Sequence, residues 1–108
     1  MFPQDIQDLE DLGYRIIAEK DDRQLRLAVS EFRGELYMSL RWWILDFEME
    51  NYFPTKEGVT IPYTTPCISN LLAATVLLLS EGNQLDTIIE NIKSLDYIKP
   101  VKLNKNPT

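Results

Sequence analysis

Histidine is absent, cysteine occurs once, and glycine appears only four times in 108 residues. Without histidine, and with Cys67 as the lone thiol, the chain has neither the ligands for a zinc site nor a partner for an intrachain disulfide. The most frequent general base is also missing, and no serine lies in a nucleophile-elbow motif, so no enzyme activity and no cofactor is expected. Cys67 falls at a helix start among apolar residues and reads as a small structural side chain. The alternating acids Asp46, Glu48 and Glu50 have a spacing that magnesium can use, but a charged turn is the simpler reading. Long apolar runs are lacking too. Leu71 to Leu79 falls well short of the ~20 residues of a membrane span, and "MFPQDIQDLEDL" has none of the basic and apolar regions of a signal peptide. The expectation is a soluble intracellular protein, cytoplasmic or associated with a nucleoid or nucleus, with no membrane partner.

What is present is the balance of a folded domain, 44% hydrophobic and 26% charged, at a length that buries one core. The formal net charge of -6 argues at first against nucleic acid, whose phosphates require cations. Its distribution argues the other way. Residues 1–22 set seven acids against Arg15 and Lys20, whereas residues 23–43 hold Arg23, Arg26, Arg33 and Arg41 against Glu31 and Glu35, and four lysines follow from Lys93 onward.

Local patterns give the elements. "PQDIQDLEDLG" has helical spacing with Gly13 as a stop, and "YRIIAEK" is strand-like. Asp21 and Asp22 then make a turn into "RQLRLAVSEF", and Gly34 supplies the positive φ of a second hairpin. In the next strand Leu36, Met38, Leu40 and Trp42 alternate with Tyr37, Ser39, Arg41 and Trp43. The first set is the expected core face. After an acidic turn at Asp46 to Glu50, Asn51 to Phe53 and Val59 to Ile61 are expected to pair across "PTKEG" as a further hairpin. From Thr65 the period changes: Thr65 as N-cap and Pro66 at the first helical position open "CISNLLAATVLLLS", which Gly82 ends. A helix apolar on all sides needs cover on all sides, here the sheet and a partner subunit, with Leu72, Val76 and Leu79 expected at the dimer interface. Asn83 is expected to cap a last helix carrying Leu85, Ile88, Ile89, Ile92 and Leu95, before a polar, flexible tail.

The second face of the paired strands is too aromatic and too cationic for a bland solvent face. Arg26, Ser30 and Phe32 on one strand and Tyr37, Ser39, Arg41 and Trp43 on the next combine flat rings with guanidinium groups, with Arg33 at the turn. Unpaired bases stack on rings, and arginines neutralise phosphates. The bland alternative is equally supported by the pattern alone: the rings cover a second hydrophobic layer or a protein interface.

The segment "SEFRGELYMSLRWWILDFEMENYFPTKEGVTIP" resembles the core of the positive cofactor four family of transcriptional coactivators. The resemblance rests on Phe32-Arg33-Gly34, on Arg41 through Asp46, and on Pro54 through Ile61, three pieces in the family's order. It implies an α+β fold, a curved antiparallel four-stranded sheet backed by a long helix; the short helices expected at both ends, with room for one extra N-terminal strand, are read from the residues and lie outside the family core. It also implies a homodimer that binds single-stranded DNA or melted duplex with little sequence specificity, in transcription, replication or recombination, and partners among transcription or replication proteins. By position it makes Phe32 a base-stacking ring, Arg33 a basic hairpin tip, Arg41 a strand arginine facing the DNA, Lys56 a basic turn residue, and Arg23 a basic start to the first strand. With the residues read from alternation, the DNA-binding set is Arg23, Arg26, Phe32, Arg33, Tyr37, Arg41, Trp43 and Lys56.

Departures from the family pattern weaken that set. Glu35 stands where lysine is usual, Glu57 replaces a second basic residue, Phe53 takes a position often held by lysine, and Ile44 falls where the family has tryptophan. A bulge would let Trp43 serve instead. The expected organisation is an acidic extension over residues 1–22, a sheet-plus-helix core over 23–82, a C-terminal helix over 83–96 and a flexible tail over 97–108. A different class of function, a protein-interaction module of the same fold with weak or no DNA binding, is compatible with the acidic surface.

Overall fold

The computed structural model describes residues 10–103. Four strands, β1 (Glu10–Lys20), β2 (Arg23–Phe32), β3 (Glu35–Asp46) and β4 (Asn51–Pro62), form an antiparallel meander. Helices α1 (Thr65–Glu81) and α2 (Leu85–Lys93) follow, and β5 (Val101–Lys102) returns to pair in parallel with β1 at Ala18 and Glu19. The sheet is therefore mixed and five-stranded, in the order β4-β3-β2-β1-β5.

The turns follow from local chemistry. Asp21, with φ 54°, turns β1 into β2, and Arg33 and Gly34, with φ 53° and 83°, are the two left-handed residues of a two-residue hairpin loop. At the third turn the Asp46 carboxylate accepts the backbone N–H groups of Glu48 and Met49 at 2.9 and 3.3 Å. The acidic turn read from the sequence is thus held by its first acid.

Several expectations are corrected. The N-terminal helix lies mostly outside the described residues, and its last part, from Glu10 to Gly13, is strand: Glu10 and Asp11 pair with Glu31 and Ser30. The exposed backbone of β2 offers that segment a full ladder, whereas a short helix without packing is marginal in water. The "PTKEG" hairpin does not form either. β4 is one continuous strand whose pairing with β3 jumps between Arg41↔Gly58 and Trp43↔Pro54, so Thr55, Lys56 and Glu57 bulge opposite Trp42 alone. Thr55 Oγ1 donates to the Trp42 carbonyl at 2.8 Å and accepts from the Glu57 N–H at 3.1 Å, which pins the bulge. Gly58 serves close approach rather than a turn. A Cβ there would meet the Leu40 carbonyl oxygen at 2.6 Å and Arg41 Cα and Cβ at 2.7 Å. Because two of those atoms are backbone, Gly58→Ala is expected to destabilise the chain by about 1–3 kcal/mol, read as a lower urea midpoint at unchanged m.

At the helices the N-cap is Thr64, one residue earlier than expected, with Oγ1 accepting from the Cys67 N–H at 3.3 Å. Gly82 closes α1 as expected. Asn83 does not cap α2; it adopts φ 60°, Gln84 precedes α2, and the two helix axes turn by 118°. Leu95 lies beyond α2. No single helix among the described residues is long and apolar enough to cross a membrane.

The tail expected to be flexible contributes β5. The Leu103 N–H donates to the Glu19 carbonyl at 2.7 Å, and Lys102 Nζ pairs with the Glu19 carboxylate. The hydrogen bond from Lys102 holds the Glu19 carboxyl below its ordinary range; partial desolvation opposes it, and a 3.1 Å bond from Gln24 assists. A carboxyl depressed in the folded state stabilises above its unfolded pKa of about 4.3 and stops doing so as pH falls through the folded value. The β5 pairing is therefore expected to loosen on acidification below about pH 4. Hydrogen-exchange protection of the Leu103 amide should drop while that of Met38, in the middle of β3, holds, and Lys102→Gln should remove the difference.

Candidate nucleic-acid interface

Register and alternation divide the meander into two faces. Leu25, Leu27, Val29, Leu36, Met38, Leu40, Trp42, Ile44 and Val59 share one; Gln24, Arg26, Ala28, Ser30, Tyr37, Ser39, Arg41, Trp43, Gly58 and Thr60 share the other. The apolar face, expected to be the core, is the less covered. Leu36 and Leu40 are each 38% exposed, Ile44 45% and Val59 54%. On the opposite face Ala28, Ser30, Tyr37, Ser39, Arg41 and Thr60 are buried. The reason is the placement of the helix: α1 meets the sheet mainly at β4 instead of lying across it, and no residue of α1 is buried within the chain. The long helix does not back its own sheet.

The polar face carries the arginine-aromatic cluster. The Arg26 guanidinium lies 4.4 Å from the centroid of the Trp43 ring, 4.5 Å from that of Tyr14 and 5.4 Å from that of Tyr52. Its Nε and Nη2 also donate to Gln24 Oε1 at 3.0 and 2.8 Å. Four strands thus bring one cation among three rings, a geometry in which the π faces attract the charge. Trp43 reaches this face through the unbroken β2-β3 register, opposite Gln24 and two residues from Arg41, and the bulge lies in β4, not in β3. At the other end of the same face Phe32 lies beneath its own neighbour Arg33, at 4.9 Å.

Other expected site residues are placed differently. Arg41, expected to face DNA, is only 8% exposed: Nη1 donates to the Thr55 carbonyl at 3.0 Å and Nη2 to Thr60 Oγ1 at 2.9 Å, and burial lowers its pKa. It braces the bulge from below. Tyr37 is 8% exposed, and its hydroxyl donates to the Glu35 carboxylate at 3.1 Å, a bond that raises its pKa. Arg33 and Lys56 are exposed. Arg23 falls on the apolar face, 5.3 Å from the centroid of the Trp42 ring and ion-paired with Glu57. Sequence reasoning missed Tyr14 and Tyr52. The one signal for them was a ring on each strand flanking the β2-β3 pair, and it needed the register to become specific. Among the described residues no group of acids, cysteines or histidines has the geometry to hold a metal ion.

An antiparallel strand meander followed by a pair of helices, with arginines and rings gathered on one face of the sheet, places the chain among the α+β sheet-platform proteins. The chain belongs to the PC4 (positive cofactor four) family of transcription coactivators. It is 41% identical to the bacteriophage T5 homologue of the eukaryotic transcription coactivator PC4, a protein implicated in recombination-dependent DNA replication. That match covers 81% of this chain and 97% of the phage protein, with a TM-score of 0.72. A PC4 homologue from Burkholderia pseudomallei K96243 shares the fold at 15% identity, over 69% of this chain and 95% of its own, with a TM-score of 0.51. The chain matches no protein-family model and none of the curated proteins.

Proposed function

We propose that the chain is a non-enzymatic, intracellular protein that binds single-stranded DNA as a homodimer, with little sequence specificity. The observation that carries this reading is the cluster of Arg26 with Tyr14, Trp43 and Tyr52, three rings and a cation on one face of the sheet. Each ring offers a base a stacking partner worth about 1–3 kcal/mol, and a π face accepts any base. Trp43 and Phe32 stack bases, with Tyr14 and Tyr52 joining them; Arg26, Arg33 and Lys56 meet phosphates. Tyr37 and Arg41, being buried, support the platform from within it. The role in replication or recombination draws on the likeness to the phage T5 homologue, which is implicated in recombination-dependent DNA replication. A role in transcription draws on family membership.

The dimer is proposed from two surfaces of the same character. Leu72 and Val76 on α1 are 60% and 47% exposed, Leu77 and Leu78 61% and 68%, and the apolar face of the sheet is half-covered. Surfaces of this extent mark an interface. A second copy supplies both a helix for the uncovered sheet and a sheet for the uncovered helix.

A second reading, docking on a transcription or replication protein, is favoured by the β3-β4 turn, where Phe47 and Met49 are 68% and 66% exposed among Asp46, Glu48 and Glu50. Titration with a labelled oligothymidine separates the two. Binding that weakens with salt supports the first reading, and absence of binding at low salt leaves the docking reading.

A further inference from the structure

Arg23 and Lys56 stand at the same end of the sheet, yet only Lys56 is free of an ion pair among the described residues. Arg23 begins β2, and its partner Glu57 belongs to the bulge of β4, the edge strand of the sheet. The Arg23 side chain is 33% exposed and that of Glu57 64%, so the pair is open to solvent on the acid's side. Trp42 lies beneath the guanidinium, and Arg23 Nε is buried with no hydrogen-bond partner. The cation is therefore fixed in place by a ring below and a carboxylate beside it. A carboxylate and a phosphate ask the same geometry of a guanidinium, and Arg can meet either with paired N–H groups.

We propose that Glu57 occupies the phosphate site of Arg23, so that a nucleic-acid strand passing the β4 edge must displace it, and that this internal carboxylate sets the affinity and salt dependence of binding. The proposal rests on the single-strand-binding reading above. Arg23 lies on the apolar side, but Lys56 and Glu57 are adjacent and exposed in the bulge of the edge strand, so a phosphate backbone held by Lys56 at that edge comes within one residue of the Glu57 carboxylate. Repulsion from that acid adds to the loss of Arg23. In the free protein the carboxylate keeps Arg23 from unselective anion binding, and a strand gains this cation only by displacing it.

Glu57→Gln keeps the size of the side chain and releases Arg23. Affinity for an oligothymidine at low salt should rise about five- to tenfold, since an exposed ion pair is worth up to about fivefold and a phosphate contact is gained. The slope of log K against log salt should steepen by about 0.7, the increment for one phosphate on a single strand. Arg23→Ala should cost little in the native chain but should abolish the gain in the Glu57→Gln background. Glu48→Gln, which removes the same charge from the β3-β4 turn, should give a much smaller rise. An unchanged affinity and slope in Glu57→Gln while the native chain binds would overturn the proposal and leave the single-strand reading standing. An equal gain from Glu48→Gln would also overturn it, as a general charge effect. Absence of binding in both the native chain and Glu57→Gln would overturn the two together, whereas binding by Glu57→Gln alone would support the competition in its strongest form. Melting of Glu57→Gln should stay close to that of the native chain, because surface pairs add little stability.

Discussion

Replacing Leu72 and Val76 together with glutamate is expected to reduce the proposed dimer to a single chain of 12.6 kDa at micromolar concentration. These side chains are 60% and 47% exposed in the isolated chain, one turn of α1 apart. Burying an apolar side chain of this size is worth about 1.5–3 kcal/mol, and a two-fold interface counts each position twice. The loss is therefore on the order of 6 kcal/mol before the cost of burying carboxylates is added, enough to weaken association by more than about a thousandfold. Stability should fall with it. A helix with no buried residue and an apolar sheet face without cover give the separate chain little reason to hold α1 in place, so loss of helical circular dichroism should accompany dissociation. Light scattering on the native chain is the control, and a native monomer at the same concentration would contradict this account of the two surfaces.

Trp43→Ala is expected to lower the affinity for oligothymidine by about five- to a hundred-and-fiftyfold, the range that corresponds to loss of one base stack of about 1–3 kcal/mol. The same substitution also removes a ring from Arg26, whose guanidinium then keeps only Tyr14 and Tyr52. Arg26→Ala should weaken binding to a similar degree and make it less sensitive to salt. Arg41→Ala should behave otherwise. It leaves the Thr55 carbonyl and Thr60 hydroxyl without their buried donor, so its main effect is a lower unfolding midpoint, with affinity lost only as far as the bulge relaxes. Anisotropy titrations beside urea melts distinguish the two kinds of variant.

That contrast shows where the sequence could be read and where it could not. Alternation sorted the residues of β2 and β3 into two faces correctly, because the side-chain period of a strand is fixed by the backbone. It could not say which face is filled, since that depends on where α1 goes. Tyr37 and Arg41 were therefore taken for surface residues, and Leu36 and Leu40 for core. The Arg33-Gly34 turn was legible because its positive φ values demand particular residues. The "PTKEG" segment was not, because proline and glycine punctuate turns far more often than they line an edge-strand bulge. In β4 Pro54 sits on the sheet edge, where its missing N–H is harmless, and Gly58 is required by the nearness of Arg41. Tyr14 and Tyr52 belong to strands whose registers contain shifts, so no fixed spacing in the sequence points from them to Arg26. The resemblance to the family supplied the order of elements, whereas the acid at position 57 acquires a consequence only through its contact with Arg23.

The central claim, that the arginine-aromatic face takes an unpaired DNA strand, is tested most directly by fluorescence anisotropy of an end-labelled oligothymidine at about 50 and 200 mM salt, with the native chain and with Trp43→Ala. Three cations per chain, Arg26, Arg33 and Lys56, are assigned to phosphates in the proposed function, and each phosphate neutralised on a single strand contributes about 0.7 to the slope. The account predicts binding at the lower salt, a slope of log K against log salt of about -2 per chain, and a loss of at least about fivefold in Trp43→Ala. No binding at the lower salt, or binding indifferent both to salt and to the removal of Trp43, would contradict it.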